Sequence, residues 1–526
     1  MTTQLPSPHP ISVRPNDIGG STVNRTRRRT AVASVAAGLA LCAGLAGCTG
    51  TDANAEPPAL ERFYSQQLDW KACDDPKLAQ AGGQCTDVTV PLNYAEPQGA
   101  TTTVAISRLV SPEPAKRRGV MLSNPGGPGG PGLDFMLGVR EAMTPDVRAQ
   151  YDLIGMDPRG IGRSAAINCH WPRGFALESA GVDAASYAES VATQADFAAR
   201  CAATEAARLP HISTRNTARD MDVIRGALGV DKISYFGTSY GTYLGAVFTQ
   251  MFPQRSDRIV LDSAANPDTY GPVGMMQAMG PANEAALDLW ADWAAAHDGE
   301  YHFGDSRAAV RATIVDLIQR SARQPIRLGE FEVDDHIAPM LLFVGLDDVR
   351  NYEMLAGQVS QLRDAANGMP VQPDDTLREG LEHIFKPVDQ DGSPQMAVLC
   401  GDVAAPRDPA FYLRNIEAAR ASQPVFGAFA NNITSCAFWA PPLEPPTVVD
   451  NSVPSLILNS TGDTRTAYEG ARVLHQKMTG SAFVTLQDVP IHYIFGRYPN
   501  TCAYGAVNAY LRDGTLPATE LTCKAD

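Results

Sequence analysis

The chain has 526 residues, 44% of them hydrophobic and 19% charged, with a formal net charge of −15. That composition supports a sizeable buried core and excludes bulk disorder, and the length fits one large domain with an insertion or two or three smaller domains. The acidic balance argues against nucleic acid or an anionic lipid surface as the main partner. No HExxH, P-loop or GxGxxG pattern is present to anchor a metalloprotease, nucleotide or dinucleotide reading.

At the N-terminus, Arg25, Arg27, Arg28 and Arg29 precede an uncharged run, 31–46, rich in Ala, Leu and Val. A basic region, a short apolar region and small residues at a cleavage point describe an export signal. The run is shorter than the roughly 20 residues that a transmembrane helix needs. It ends in Leu45-Ala46-Gly47-Cys48, which resembles a bacterial lipobox and would make Cys48 the lipidated first residue of the mature chain. A simple cleaved signal with an incidental cysteine is the alternative. The expected organisation is a signal peptide, 1–47, then a small, polar tether, 48–60. The protein is expected on the outer side of the cell membrane, held only by its lipid, or secreted.

The cysteines agree with export. Setting aside Cys42 and Cys48, the rest form an even set: Cys73, Cys85, Cys169, Cys201, Cys400, Cys436, Cys502 and Cys523. They fall as sequence neighbours, so the expected bridges are 73–85, 169–201, 400–436 and 502–523. None has a metal-ligand spacing such as CxxC, and neither metal nor cofactor is expected.

From about residue 68, short β-forming runs alternate with turns, and strands are predicted over 88–92, 102–109, 119–123 and 152–156. A helical pattern over 216–228 follows, then a strand at 233–236, a helix at 242–252 and a strand at 258–262. The rhythm then changes. Residues 270–440 are mostly helical in pattern, with Ala-rich stretches at 283–296 and 307–320. Alternation resumes with a strand at 455–459, a helix at 467–479 and a strand at 482–486. Strands separated by helices imply a mostly parallel sheet covered on both faces. The predicted fold is α/β: a core over 61–268, a helical lid over 269–445 and a second core segment over 446–526.

One stretch of this sheet asks for chemistry. Gly237-Thr238-Ser239-Tyr240-Gly241 lies where the strand at 233–236 gives way to a helix. Small residues there allow a turn sharp enough to push the serine side chain out in a strained conformation. The start of the following helix favours negative charge beside it. A serine needs a base, and His492 follows the last predicted strand on a loop, whereas His475 falls inside a helix and His297, His302, His336 and His383 lie in the lid. Asp463, just after the strand at 455–459, would orient the imidazole; Asp262, ending the strand at 258–262, is the rival acid. Asp220, in a helical pattern, reads as a structural ion-pair partner. An oxyanion site needs two backbone N–H groups. Tyr240, following the serine, would supply one. The glycine–proline loop Asn124 to Gly132, after the strand at 119–123, would supply the other through Gly127.

Serine, acid and histidine in this order, with a nucleophile elbow between strand and helix, are the arrangement of the α/β-hydrolase fold. The chain resembles, more specifically, the exported tripeptidyl-aminopeptidase and carboxylesterase family of that fold. The likeness runs from about Trp70 to Cys523 and rests on Val90 to Tyr94, the loop from Asn124, Asp157 to Gly160, Gly237 to Gly241, Cys436 to Trp439 and Tyr510 to Gly514. The family's nucleophile, acid and base fall on Ser239, Asp463 and His492, and Asp157 to Gly160 would shape a loop beside the site. Two departures bear on the pocket: the family's Thr-Pro pair after the acid is replaced in Asp463 to Ala467, and Ile491 stands where a glycine usually precedes the histidine. The resemblance implies a peptidase that releases short peptides from free N-termini. An acidic lid residue, among Asp334, Asp335, Asp347, Asp348 and Glu353, would then pair with the substrate ammonium. A carboxylesterase on short or medium acyl esters is the alternative. An idle surface binding protein on the same scaffold is a third reading, which a complete triad disfavours.

Overall fold

In the computed structural model, residues 58–387 and 390–526 are described. The expected signal peptide, Cys42, Cys48 and nearly all of the expected tether lie outside them. The sheet is built from β1 (Lys71–Ala72), β2 (Gln84–Pro91), β3 (Thr101–Leu109), β4 (Gly119–Asn124), β5 (Tyr151–Met156), β6 (Ile233–Thr238) and β7 (Ser256–Asp262). After an insertion carrying the small hairpin β8 (Ile326–Leu328) and β9 (Phe331–Val333), it is completed by β10 (Ser455–Ser460), β11 (Ser481–Leu486) and β12 (Leu521–Cys523). The ten strands lie in the order β1-β2-β3-β5-β4-β6-β7-β10-β11-β12. The pairings from β5 across to β12 are all parallel, while β1, β2 and β3 add an antiparallel edge.

The residues explain the two-sided cover. β5, β6 and β10 are buried along their whole length, as central parallel strands must be. Successive side chains alternate between faces. Val120, Leu122, Tyr235, Ile259, Leu261 and Ile457 point into the larger apolar cluster, which continues under the insertion. Met121, Phe236, Val260, Leu456 and Leu458 point into a second cluster closed by the helix Thr501–Asp513. Every strand predicted from sequence is present, each within a few residues of its expected bounds. The helix Ala184–Thr204, whose N-terminus is capped by Asp183 accepting from the amides of Ala185 and Ser186, was not among the predicted elements. Nor was β12, three residues on the sheet edge.

The insertion between β7 and β10 is helical, with helices such as Gly274–Ala296, Arg307–Arg323 and Tyr352–Ala366. It contacts the loop after β11, where His492 N donates to Asp347 O, and the segment before helix Thr214–Ala227 packs on it: Ser179 N donates to His336 O and Ala180 N to Ala428 O. All four expected disulfides are formed, Cys73–Cys85, Cys169–Cys201, Cys400–Cys436 and Cys502–Cys523. In a chain-entropy account each closes a loop worth roughly 3 kcal/mol. Arg159 and Asp220 form a fully buried ion pair that Tyr94 joins through its hydroxyl, so Asp220 has the structural role expected of it. Among the described residues no helix is long and apolar enough to cross a membrane.

Candidate active site

The candidate residues come together at the carboxyl ends of β6, β7, β10 and β11, where open parallel sheets place their ligands. Ser239 directly follows β6, with φ 57° and ψ −126°, a region that costs a non-glycine residue of order 1–3 kcal/mol. The surroundings force it. Ser239 N donates to Asp262 O at 3.1 Å, and Thr242 donates to Ser239 O from both its amide and its hydroxyl. The flanking glycines are needed for close approach: a Cβ on Gly237 would stand 2.4 Å from Gly241 O, and one on Gly241 2.4 Å from Asn124 O. The helix Tyr240–Met251 starts immediately after the serine, so the Tyr240 amide is free of any helical partner.

His492 Nδ1 lies 2.9 and 3.0 Å from the two carboxylate oxygens of Asp463. An ionised carboxylate only accepts, so Nδ1 carries the proton and Nε2 is left with its lone pair for a hydroxyl proton. Burial would push the Asp463 carboxyl up, but the charge and hydrogen bond of His492, with further donors, hold it below the usual value. Those further donors are the side chain of Ser263 and the amide of Thr466; on the carboxylate, the amides of Arg465 and Thr466 reach Oδ1 at 2.8 and 2.9 Å, and the Thr466 hydroxyl reaches Oδ2 at 2.9 Å. The base loop is itself held from several sides. His492 N donates to Asp347 O, Tyr493 N to Ser263 Oγ, and Ile494 N and Phe495 N both to Asp262 Oδ2. Asp463 is therefore the acid on the imidazole, and Asp262, the rival, braces the loop instead. The other histidines sit elsewhere: His475 bonds Ser481 Oγ, and His336 bonds Ser179 O.

The glycine–proline loop packs directly on the elbow. Gly126 has φ 101°, and a Cβ there would lie 2.8 Å from Ser239 Cβ and 3.1 Å from Tyr240 N. Its own amide donates to Asn124 Oδ1 at 3.0 Å, whereas the Gly127 amide has no hydrogen-bond partner among the described residues. The loop's far end is held by Asp157, whose carboxylate accepts from Gly132, Leu133 and Arg163 amides. Asp157 thus acts as the loop-shaping residue that its motif suggested. Between this loop and the insertion lies a cavity of about 890 Å³, lined by Gly127, Gly129, Leu133, Phe175, Gln390 and Gln395 among others; Ser239, Asp463 and His492 are not among its lining residues. That is within the range of small-ligand sites.

Of the acidic residues considered for a substrate amine, Asp335 is buried and bonded to Val182 N and Ser186 Oγ, Asp334 caps a turn at His336 and Ile337, and Asp348 is paired with Arg350. Glu353 is exposed. Asp347 touches the base, through its carbonyl, and its carboxylate is bonded to Arg497. The departures after the acid and before the base also have visible consequences. Arg465 stacks on Phe343 of the insertion, 3.4 Å above the ring, and donates to Asn283 Oδ1, so the acid loop is clasped by the lid. Ile491 is fully buried in the second apolar cluster. Sequence reasoning did not single out Ser263 or Thr466; short polar residues next to a candidate acid were the signal, but nothing local says which oxygen they reach. Among the described residues no group of three or more His, Cys, Asp or Glu is placed to hold a metal ion.

Comparison with known proteins agrees with this geometry. Residues 119–335 match the α/β hydrolase fold family, and residues 423–523 match the TAP-like protein family. The chain is 33% identical to a tripeptidyl aminopeptidase of Streptomyces lividans, over 88% of each chain. It is 28% identical to the serine protease Hip1 of Mycobacterium tuberculosis, over 94% of this chain and 96% of that one. Carboxylesterase B of the same organism is also 28% identical, over 92% and 95%. With its elbow serine, its histidine–aspartate pair and this kinship, the chain belongs to the α/β-hydrolases with a TAP-like C-terminal region, and is a serine hydrolase related to the tripeptidyl aminopeptidases.

Proposed function

We propose that this serine hydrolase is an exported peptidase that releases short peptides from free N-termini. Ser239 Oγ attacks the scissile carbonyl carbon while His492 Nε2 takes its proton; the imidazolium is stabilised by Asp463. The amides of Tyr240 and Gly127 hold the oxyanion. His492 then gives the proton to the leaving amine, and water, activated by the same histidine, releases the acyl group and restores Ser239. The observation that carries the peptide reading is the 33% identity with a tripeptidyl aminopeptidase along 88% of both chains, with a cavity of short-peptide size beginning at Gly127 of the loop that packs on the elbow. The carboxylesterase reading is favoured by the carboxylesterase B relative, which matches 92% of the chain at the lower identity of 28%. Comparing a free tripeptide anilide with its N-acetylated twin, with Ser239→Ala as the blank, separates the two. A peptidase of this kind cleaves the free amine with at least about tenfold higher kcat/KM, about 1.4 kcal/mol of recognition. Equal rates, or cleavage of neither, would leave the ester reading.

Export and a lipid on Cys48 complete the proposal, with the membrane reached only through that lipid. Mass spectrometry of the mature protein is expected to find Cys48 as a diacylated first residue. An unmodified N-terminus at another position would overturn the anchor.

A further inference from the structure

Asp262 is a buried carboxylate that the reaction does not use directly. It is the last residue of β7, opposite Thr238 at the end of β6, and it is fully buried. Two of its atoms reach the two halves of the site. Its carbonyl accepts from Ser239 N at 3.1 Å. Its Oδ2 accepts from Ile494 N at 2.9 Å and Phe495 N at 2.7 Å, the amides that follow His492 and Tyr493. Its other carboxylate oxygen, Oδ1, is buried without a hydrogen-bond partner among the described residues. An unmet carboxylate oxygen in this position is costly if it does only the work of a loop tie, which an asparagine or a backbone carbonyl could do.

We propose that Asp262 is the positioning residue that couples nucleophile to base, its carbonyl holding the Ser239 amide and its carboxylate holding the loop of His492, and that the negative charge of that carboxylate stabilises the imidazolium formed on His492 during the reaction. The charged and titratable groups facing it are His492, Asp463, Tyr493 and Tyr504. No cation among them cancels its field except the imidazolium that forms in the reaction. Burial pushes the Asp262 carboxyl up to about 7, the two amides and His492 opposing that rise and Asp463 adding to it.

The inference rests on Ser239 being the nucleophile, not on the choice between peptide and ester. It is tested with a fluorophosphonate, which reads the activated serine whatever the natural substrate. Asp262→Asn keeps an oxygen for both loop amides and removes the charge. Its inactivation rate plotted against pH is expected to show the acid limb displaced to lower pH by about half a unit or more, since loss of a nearby anion disfavours the imidazolium. A profile superimposed on that of the parent overturns the electrostatic role. Asp262→Ala removes the loop tie as well, and is expected to lower the limiting inactivation rate by about tenfold or more while the inactivator's binding constant changes by less than about threefold. A parental limiting rate overturns the positioning role. Should the alanine variant not fold, Asp262→Ser, which shortens the tie to the Ile494 and Phe495 amides, takes its place. It is expected to lower the limiting rate likewise, and a parental rate overturns the positioning role. Undiminished labelling of Ser239→Ala would overturn the nucleophile assignment itself.

Discussion

At the scale of single residues, the site depends on atoms that are absent. Gly126 contributes no side chain, and the space where its Cβ would be is filled by Thr238 O at 2.7 Å and Ser239 Cβ at 2.8 Å. Its φ of 101° adds a second reason for glycine. Gly126→Ala is thus expected to leave the sheet intact by circular dichroism and to reduce turnover by at least about a hundredfold, because one displaced oxyanion donor alone costs that much. Near-parental turnover would show that the loop has another resting position. Thr466 works the opposite way, by adding an atom: its hydroxyl on Asp463 Oδ2 complements the charge that must persist beside His492. The Gly-Xaa-Ser-Xaa-Gly turn, the histidine after the last long strand and the aspartate after β10 were all legible in the sequence as candidates, since each follows from a short apolar run meeting turn residues. The partners of those side chains were not. Asp262 and Asp463 each lie at the end of a strand, and composition alone made them rivals. They differ because Asp463 stands three residues beyond β10, free to turn to the imidazole, while Asp262 closes β7 and is captured by two loop amides.

At the scale of elements, the lid is tied to the core by polar contacts as well as apolar packing. Asp402, in helix Ser393–Asp402, accepts from the amide and hydroxyl of Thr214 and from Tyr270 OH. The Thr214 hydroxyl in turn lies 2.7 Å from that of Tyr240, so the lid reaches the residue that follows the nucleophile. A second tie lies nearer the surface, where Glu444 binds Arg215 and Arg219 of helix Thr214–Ala227. The Arg219 hydrogen bond leads in drawing the Glu444 carboxyl down from 4.5 to about 2, against partial burial. A depressed carboxyl adds stability at pH values above its unfolded pKa and loses it as pH falls through the folded one. Glu444→Gln is therefore expected to melt below the parent at neutral pH, with the difference shrinking between about pH 4.5 and pH 2. Glu444 is more than a third exposed, so the neutral-pH difference should be small and should shrink with salt. A constant gap across that range would show that packing, not charge, makes the tie.

At the scale of the whole molecule, the class of fold, the interruption of the sheet by a helical insertion, the disulfide partners and the candidate pair Asp463 and His492 were all legible in the chain alone. Each of these is written in short-range signals: strand and helix periods, turn residues, cysteines close in sequence. The long helix Ala184–Thr204 escaped that reading because it carries a polar, Ala-rich pattern with a weak apolar stripe, and its place is set by packing against the Ser435–Phe438 turn and by the Cys169–Cys201 bridge. β12 escaped it because three residues on an edge strand carry too little pattern to register. Folding alone puts Asp463 and not Asp262 on the imidazole, packs Gly126 against Ser239, and lays Arg465 of the acid loop on Phe343 of the insertion. The physical reason is that these choices join residues far apart in sequence, such as Asp262 with Ile494 and Arg465 with Phe343. The hydrophobic pattern dictates that a strand or helix be buried, but the hydrogen-bond partner at its end is chosen by whatever the folded chain brings within about 3 Å.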